Sequence, residues 1–598
     1  MRTIIHQKHR LETSSWGRAS LARTKNRFTS AARNASLGII LSISSLSSIC
    51  TGDTGLPEGG QLQEISIQNH FGLEQLELST GPERANAAWG EPAANHLWVV
   101  PAMASNPGQF GAYFKTRVVV TNLTNNAFQV GVSLFNSEGK VKDAVLSLDA
   151  KKTLAWNDFL AQALNYTGAG AVVFDSWLGA ATGPEANRFV VTAEVYSDSP
   201  HGRFKTVVNR GRLWEPFEPA SQPFNVGVTV SPKERTNIGA FNASSFPNTV
   251  TALIYSTSGA LVETVQFELP PFAWGQRAVT QPVTNGVIRW KLTAKAYLYA
   301  VTVSNDSNDG TMMTAVDYDW ATPLAQQQST VADAVAGGRL EEISSFGDAD
   351  LAIKNTQSLS PGPAKQGLVG VASATYMVPA MASAPGQFGA YFKTKVVITN
   401  ATEFSYPIYA TLYNNNGKVK RVSLQMQPHQ TVCWDDFLPQ AMGYAGAGAM
   451  YFDSWYAPPN GSYKYAYVLT AEVYSESPGG RYKTLVSDGP EWIRQQGGNI
   501  PYNIGINVSA TERTNIGALN FFSSKSLAVT AEVFDASGTL IETVQFNLRP
   551  AGWEQKALTV PVTNGTIRWK MPDDAYLYAV TVDNTSNDGT MMPAVDYH

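Results

Sequence analysis

Residues 115–122, Lys-Thr-Arg-Val-Val-Val-Thr-Asn, contain the pattern that decides the fold. A basic residue and a threonine precede a short β-branched run, and an asparagine stands six positions after the threonine. The pattern occurs four times, at Thr116 and Asn122, Thr236 and Asn242, Thr394 and Asn400, and Thr514 and Asn520. Because repetition of this kind is typical of repeated structural units, we predict four related domains.

A longer repeat groups these domains in pairs. Residues 99–105, Val-Val-Pro-Ala-Met-Ala-Ser, return 278 positions later as Met-Val-Pro-Ala-Met-Ala-Ser. The predicted order is A-B-A-B, with A1 at 95–220, B1 at 221–325, A2 at 370–498 and B2 at 499–598. Residues 1–57 are assigned to an export signal and leader, and 58–94 and 326–369 to linkers. Few contacts are expected between the first half (58–325) and the second half (336–598).

The strand pattern indicates the fold class. Short runs such as Arg117–Thr121 and Gln129–Phe135 alternate with Asn/Ser/Gly turns. Spacing of this kind is typical of antiparallel sandwiches. We predict an all-β protein made of four tandem immunoglobulin-like antiparallel β-sandwiches arranged as two A–B pairs. A composition of 43% hydrophobic and 15% charged residues excludes a disordered chain or a coiled coil.

The motifs resemble a group of known modules. The Val-Pro-Ala opening, the Lys/Arg-Thr-x5-Asn strand and the closing stretch 578–588 are similar to uncharacterised tandem β-sandwich modules of exported bacterial proteins. The resemblance covers most of residues 95–598. It implies a sandwich fold and an extracytoplasmic setting, and it transfers no catalytic residue.

The N-terminal stretch predicts export. Residues 1–50 carry eight Lys/Arg against Glu12 alone, and the apolar run Leu37–Ile49 follows. This order is typical of a secretory signal, so we expect an extracellular or cell-surface protein. Cys50 follows a lipoprotein-like box and is a candidate lipid attachment site, which would be the chain's sole contact with a membrane. The remaining residues carry a net charge of −11, so a nucleic-acid partner is not expected.

Two sets of paired residues, most of them aromatic, are candidate ligand-binding positions on the A domains. Trp177 and Trp455 follow a predicted strand end, where a flat ring can stack on a sugar. A loop specific to the A domains supplies the second set, which is Gln109, Phe110 and Tyr113 with their equivalents Gln387, Phe388 and Tyr391. Long loops at a sandwich rim commonly bind ligands. The alternative is a wedge that fixes the angle between A and B, and the sequence does not rank the two.

No repeated catalytic constellation accompanies the repeated fold. The histidines of one half have no histidine equivalent in the other, and no metal-ligand spacing or nucleophile elbow is present. The hairpins 305–310 and 583–589 contain carboxylates that Ca²⁺ accepts, but Asn, Asp and Gly are also ordinary turn residues. We therefore predict no catalytic residue, no metal and no cofactor.

The leading functional hypothesis is a non-enzymatic exported surface, adhesion or assembly protein built as a repeated β-sandwich rod. Copying a whole module favours spacing and multivalent contact. Expected partners are other surface proteins, further copies of the chain or glycans. The alternative is a carbohydrate-binding protein with equivalent sites on the two A domains.

Overall fold

The computed structural model describes residues 63–64, 97–176, 188–199, 202–208, 213–216, 221–319, 340–342, 374–400, 402, 404–454, 467–477, 480–487, 500–520 and 524–595. Strands dominate this part of the chain, and they form several separate antiparallel sheets. The all-β prediction is confirmed.

The A1 segment forms one continuous nine-stranded sheet that also takes a strand from residues before it. The strands are β1 (Gln63–Glu64), β2 (Leu97–Pro107), β3 (Tyr113–Asn122), β4 (Phe128–Asn136), β5 (Gly139–Leu148), β6 (Thr153–Trp156), β7 (Gly168–Asp175), β8 (Phe189–Ser199) and β9 (Gly202–Val207). Helix α1 (Phe159–Gln162) lies between β6 and β7. The order is β1-β5-β4-β7-β2-β3-β8-β9, with β6 beside β3. The long strand β2 therefore joins the two faces.

The B1 segment forms two five-stranded sheets. Its strands are β10 (Leu213–Trp214), β11 (Ser221–Val230), β12 (Glu234–Asn242), β13 (Asn248–Tyr255), β14 (Leu261–Leu269), β15 (Trp274–Ala278), β16 (Val283–Leu292), β17 (Ala296–Ser304), β18 (Gly310–Thr314) and β19 (Val316–Asp319). One sheet has the order β14-β13-β16-β11-β19, and the other joins β10, β17, β12 and β15, with β18 beside β17. Strand β10 comes from the end of the A1 segment, so the chain passes between segments within a sheet.

The second half repeats this plan, except that the described residues of segment B2 form two four-stranded sheets. The strands of its first part are β20 (Leu340–Glu342), β21 (Ala374–Pro385), β22 (Tyr391–Asn400), β23 (Tyr406–Asn414), β24 (Gly417–Met426), β25 (Thr431–Trp434), β26 (Gly446–Ser454), β27 (Tyr467–Ser477) and β28 (Gly480–Ser487). Helix α2 (Phe437–Met442) lies between β25 and β26. Segment B2 contributes β29 (Tyr502–Val508), β30 (Glu512–Asn520), β31 (Leu527–Phe534), β32 (Leu540–Leu548), β33 (Trp553–Ala557), β34 (Val562–Lys570), β35 (Ala575–Asp583) and β36 (Gly589–Pro593). The A2 strand order matches that of A1 strand for strand.

The repeated threonine and asparagine are structural. The Thr116 hydroxyl accepts a hydrogen bond from the backbone N–H of Ala104 at 2.7 Å and donates one to the Ala104 carbonyl at 3.0 Å. Asn122 is fully buried, and its amide donates to the carbonyls of Asn126 and Leu148. Thr394 and Asn400 make equivalent contacts in A2. The motif therefore fixes neighbouring strands and a loop at each repeat, which explains why it survives duplication.

Parts of the predicted linkers belong to the sheets. Strand β1 pairs with Val145 and Ala144 of β5, and β20 pairs with residues 422–424 of β24. Each adds an edge strand to an A segment. The duplicated stretches 60–65 and 338–343 thus each contain residues that pair with a sheet.

The cores of the two B segments each contain a tryptophan from an alternating strand, β16 or β34. Trp290 is 1% exposed, and its indole N–H donates to Asn225 Oδ1 at 2.8 Å. Trp569 makes the same contact with Asn503 in B2. A buried indole is normally hydrogen-bonded, so these rings serve the core and are not sugar platforms.

The expectation of few contacts between the halves is wrong. Residues Glu58–His598 form one compact unit. Arg117 of A1 donates to the Gly505 carbonyl of B2, and Lys205 of A1 is paired with Glu512 of B2 at 2.7 Å. Between B1 and A2, Lys483 pairs with Glu234 at 2.8 Å, and an apolar cluster joins Phe224, Val226, Val287 and Val316 to Val397 and Val468. These contacts do not fit a rod in which each domain touches only its neighbours in sequence.

Candidate binding loops and their supports

The loop between β2 and β3 is a tight hairpin end. The Gly108 N–H donates to the Ala112 carbonyl at 2.8 Å, and the Ala112 N–H donates to the Gln109 carbonyl at 3.2 Å. A side chain at Gly108 would be excluded, because its Cβ would lie 2.3 Å from the Phe114 ring. The second loop has the same bonds, from Gly386 to Ala390 and from Ala390 to Gln387. The two predicted loops are thus present and have the same backbone hydrogen bonds.

Each loop presents an aromatic ring to solvent. Phe110 is 65% exposed and Phe388 is 64% exposed, and each has a φ of 55°. A bulky residue in the left-handed region is strained, and strain of this kind is concentrated at functional sites. Tyr113 and Tyr391, at the start of the next strand, are 41% and 44% exposed. Gln109 and Gln387 are exposed beside these rings.

An arginine of the B segment holds each ring in position. The Arg235 guanidinium carbon lies 5.3 Å from the centre of the Phe110 ring, within the range of cation–π contact. Its Nη1 donates to Asn305 Oδ1 at 2.9 Å, and its Nη2 donates to Asn308 Oδ1 at 2.8 Å. Asn308 in turn donates to the Phe110 carbonyl at 3.5 Å. The A loop and the B hairpin, which sequence reasoning treated separately, therefore form one site.

The second copy repeats this arrangement. Arg513 lies 5.2 Å from the Phe388 ring and donates to Asn584 and Asn587 at 2.8 and 2.9 Å. Asn587 donates to the Phe388 carbonyl at 3.5 Å. Burial lowers the pKa of Arg235 and of Arg513, but a guanidinium stays charged in proteins. The sequence signal for these arginines was present in the Arg-Thr motif of the B segments, where it was assigned to strand pattern alone.

The two interpretations of the loop apply to different atoms. Its backbone is attached to the B hairpin, as the wedge interpretation requires. Its aromatic ring remains largely exposed, as the binding interpretation requires. The loop therefore combines a backbone attached at the A–B junction with an aromatic ring exposed to solvent.

Near the second loop, the exposed Tyr391 has polar neighbours. The Ser383 hydroxyl lies 3.4 Å from the Tyr391 hydroxyl and donates to Asp436 Oδ2 at 2.8 Å. Lys393 pairs with Glu476 and lies 5.9 Å from the centre of the Tyr474 ring. In A1 the equivalent Tyr196 is 3% exposed, and burial raises its pKa to about 12. These tyrosines on β8 and β27 are covered and support the strand rather than offer a stacking face.

The hairpin carboxylates have structural hydrogen bonds. Asp583 Oδ1 accepts from the N–H groups of Thr585 and Ser586 at 2.9 and 2.7 Å. In the first half the Ser304 hydroxyl accepts from the equivalent N–H groups at 3.3 and 3.2 Å. Asp583 and Ser304 therefore both stabilise their turns. Among the described residues, no group of three or more His, Cys, Asp or Glu side chains is placed to hold a metal ion.

Carboxylates that the two halves share are used in separate structural contacts. Asp158 accepts from Ser105 and caps α1, and Glu194 pairs with Arg117 at 2.7 Å. Asp453 accepts from Arg421. Cys433 is half-buried against the apolar cluster between B1 and A2. None of these contacts brings two carboxylates together across a cleft.

Three predicted positions lie outside the described residues, namely Trp177, Trp455 and Cys50. In the described part of the chain, no helix has the length and apolar character needed to cross a membrane. No protein-family model matches the sequence, and comparison with curated proteins finds no similar chain.

Proposed function

We propose that this chain is a non-enzymatic exported surface, adhesion or assembly protein that makes contact through two equivalent loops. In this proposal the sheets form four immunoglobulin-like sandwiches in two A–B pairs, and the pairs are also joined to each other. The observation that carries the proposal is the duplicated phenylalanine, Phe110 and Phe388, which has a positive φ and a largely exposed ring in both copies.

Two further observations support a contact role. Each ring lies on an arginine that polar groups of the B hairpin orient, three for Arg235 and two for Arg513. Little entropy is therefore lost when a partner covers the ring. Exposed aromatic residues and arginine are also enriched in the centres of protein interfaces. The fitting partners are another surface protein or a second copy of the chain.

A carbohydrate ligand is the second candidate. Phe110 and Tyr113 expose two rings on one hairpin that also exposes Gln109, and the same holds for Phe388, Tyr391 and Gln387. Rings can stack on a pyranose face while an amide hydrogen-bonds its hydroxyl groups. Trp177 and Trp455 remain candidate platforms in this alternative.

The binding test uses Phe110→Ala, Phe388→Ala and the double variant. Self-association is measured by sedimentation, and glycan binding on a printed glycan array. Each single variant is expected to weaken binding about 10-fold, because one buried ring contributes roughly 1.4 kcal/mol or more at an interface centre. The double variant is expected to weaken it about 100-fold.

Phe246→Ala is the matched control, since Phe246 is 68% exposed on a B1 loop and has no phenylalanine equivalent in B2. It should leave both signals unchanged. Loss of glycan binding alone, with further loss in Trp177→Ala and Trp455→Ala, would favour the carbohydrate alternative. Unchanged binding in the double loop variant would contradict the proposal.

Export makes a separate prediction about the N-terminus. The protein recovered from outside the cytoplasm should lack the basic leader that ends near residue 50, because signal segments are removed on export. Intact-mass spectrometry checks this. A mass increased by a diacylglyceryl group on Cys50 would place the protein on a membrane, and a full-length mass with Arg2 to Arg33 retained would contradict the export assignment.

A further inference from the structure

Ion pairs between the two halves occur in equivalent sets. Lys205 of A1 lies 2.7 Å from Glu512 of B2, and Lys483 of A2 lies 2.8 Å from Glu234 of B1. The two lysines are equivalent in the duplication, and so are the two glutamates. Each half therefore offers the other the same two charges that it receives.

The backbone contacts of these lysines are reciprocal as well. The Lys205 N–H donates to Asp588 Oδ2 at 2.6 Å, and the Lys483 N–H donates to Asp309 Oδ2 at 2.7 Å. Four buried oxygens that lack a hydrogen-bond partner among the described residues are also equivalent two by two, namely Asp309 Oδ1 and Asp588 Oδ1, and Thr311 Oγ1 and Thr590 Oγ1. These groups therefore do not distinguish one half from the other.

Apolar packing between the halves follows the same rule. Val119 of A1 packs at Gly505 of B2, where an added Cβ would lie 3.1 Å from the valine Cγ2. The equivalent Val397 of A2 packs at Gly227 of B1, where the corresponding distance is 3.6 Å. Each half thus places a valine against the glycine of the other.

A stacked pair of rings lies where the halves are related to each other. Phe204 and Tyr482 are equivalent positions, and their ring centres are 5.3 Å apart with planes 6° apart. Equivalent residues touch each other in this way where a two-fold axis passes between them. Together with the reciprocal ion pairs, this stack gives the contact the isologous form of a symmetric homodimer interface. We call the surface around Phe204 and Lys205 in the first half, and around Tyr482 and Lys483 in the second, the junction face.

The two junction faces differ in one hydrogen-bonding group. Arg117 Nη2 donates to the Gly505 carbonyl at 3.1 Å and to Asn564 Oδ1 at 2.5 Å. Lys395 stands at the equivalent position of A2, and a lysine lacks the forked donors of a guanidinium. Its counterpart acceptor, Asn285 Oδ1, is buried and has no hydrogen-bond partner in the described part of the chain. The first half therefore contains both the guanidinium and an acceptor that the second half leaves unpaired.

A second difference has the same direction. Val287 of B1 belongs to the apolar cluster that joins B1 to A2. Thr566 takes its place in B2, where it is 7% exposed, and its hydroxyl has no hydrogen-bond partner in the residues that the structure describes. A buried hydroxyl without a partner is costly. The first half thus has the more favourable residue at both positions.

We propose that the junction face is a self-recognition surface, and that its alternative partner is the junction face of a second copy of the chain. Two copies joined first half to first half and second half to second half retain the reciprocal contacts of the single chain. In the pair of first halves, each Asn285 gains the Arg117 of the other copy, and Val287 replaces Thr566. Residues 320–339 link β19 to β20, and a link of this length can span up to about 70 Å, which allows a half to be exchanged between neighbouring copies.

The test redirects the halves by charge in the full chain. In the variant Lys205→Glu, Glu234→Lys, the new glutamate faces Glu512 and the new lysine faces Lys483 within one chain. Between two first halves, the new glutamate faces the new lysine of the other copy. Because like charges at an interface are strongly unfavourable, the dissociation constant of the dimer, measured by sedimentation velocity, should fall at least about 10-fold relative to wild type.

The matched control is Lys205→Glu, Glu512→Lys, which has the same two reversals and the same net charge. Here the new charges match within one chain and oppose each other's equivalents between copies, so this variant should remain monomeric. Both variants place a glutamate near Glu194, which acts on Lys205 in the wild type, so they share the cost of that change. Equal self-association of the two variants would overturn the proposal.

A second measurement needs no charge reversal. Wild-type chains with two different affinity tags are unfolded together in guanidinium and refolded at low and at high concentration. Purification through one tag should recover the other at high concentration, because pairing between chains depends on concentration. Recovery of a single tag at every concentration would overturn the proposal.

Two further variants connect this recovery to the junction face. Lys395→Arg supplies Asn285 with a donor within one chain, and should lower the recovery of the second tag. Phe110→Ala with Phe388→Ala should leave the recovery unchanged, because those exposed rings lie outside the junction face. Failure of the loop proposal and failure of this one are therefore distinguishable.

Discussion

Replacing Lys205 by methionine should lower the free energy of unfolding by about 3–5 kcal/mol, the usual cost of removing one partner of a buried ion pair. Its side chain is 1% exposed, and its ammonium nitrogen lies 2.7 Å from Glu512 Oε1. Methionine fills similar space without charge, so Glu512 would be left as a largely buried carboxylate between the halves. Denaturation with guanidinium, followed by far-ultraviolet circular dichroism, measures the loss.

Both partners of this pair are charged in the folded protein. Burial opposes the charge on Lys205, but Glu194 and Glu512 raise its pKa above 10.5. Burial likewise raises the pKa of Glu512, but Lys205 and its neighbours hold it below 4.5. The pair therefore stabilises the fold between these two values, and the contribution is lost as pH falls through the folded value of Glu512 or rises through that of Lys205.

Two companion variants separate the ion pair from packing. The double variant Lys205→Met, Glu512→Gln should recover more than half of the loss, because no unpaired charge remains. Lys115→Met removes a lysine that is 36% exposed and 3.5 Å from Asp198, and should cost no more than about 1 kcal/mol. Equal losses for Lys205→Met and Lys115→Met would show that the junction between A1 and B2 does not carry the stability that its burial implies.

The strands could be predicted from the sequence because their causes are local. The run 117–121 lies within β3, Tyr113–Asn122, and the hairpin turns at 305–310 and 583–589 have the turn geometry that their Asn, Asp and Gly content indicates. Trp290 shares the phase of Ile288 and is in the core, as the alternation predicts. Strand period and turn chemistry act over a few residues, so a single sequence contains them.

The contacts between the halves could not be predicted in the same way. Lys205 and Glu512 are 307 positions apart, and nothing in either strand pattern distinguishes a lysine that points to solvent from one that crosses a junction. One signal was available. Lys205 and Glu512 each have an identical equivalent in the other half, Lys483 and Glu234, and a polar residue retained through duplication at a strand position is a candidate for a buried partner.

Part of the candidate site could be predicted from the sequence. The loops with Phe110 and Phe388 stand out because A segments have them and B segments do not. Their support by Arg235 and Arg513 depends on how A packs against B, which is a tertiary property. The same packing explains why the Asn-rich hairpins lie beside the loops, where their amides orient an arginine.

Truncating Trp553 to alanine should cost about 3–5 kcal/mol, comparable with other large aromatic residues removed from a core. Trp553 belongs to B2 but is 9% exposed within the apolar cluster of A2. Its indole N–H donates to the Pro379 carbonyl at 2.8 Å and lies 3.1 Å from the Tyr578 hydroxyl. The Val-Pro-Ala motif therefore supplies the acceptor by which A2 holds B2, and the substitution removes both the ring and that hydrogen bond.

The variant Trp553→Phe separates the loss of the hydrogen bond from the loss of the aromatic ring. It keeps an aromatic ring but leaves the Pro379 carbonyl unpaired, so its loss should be intermediate, about 1–3 kcal/mol, whereas the exposed Phe246→Ala should stay within about 0.5 kcal/mol. Guanidinium midpoints of the three variants check this order.

Because Trp274 makes the equivalent bond to Pro101 at 2.9 Å in the first half, Trp553→Ala should weaken contact through the Phe388 loop and spare the Phe110 loop. Equal weakening of both loops would mean that the A–B junctions are not independent supports of the two sites.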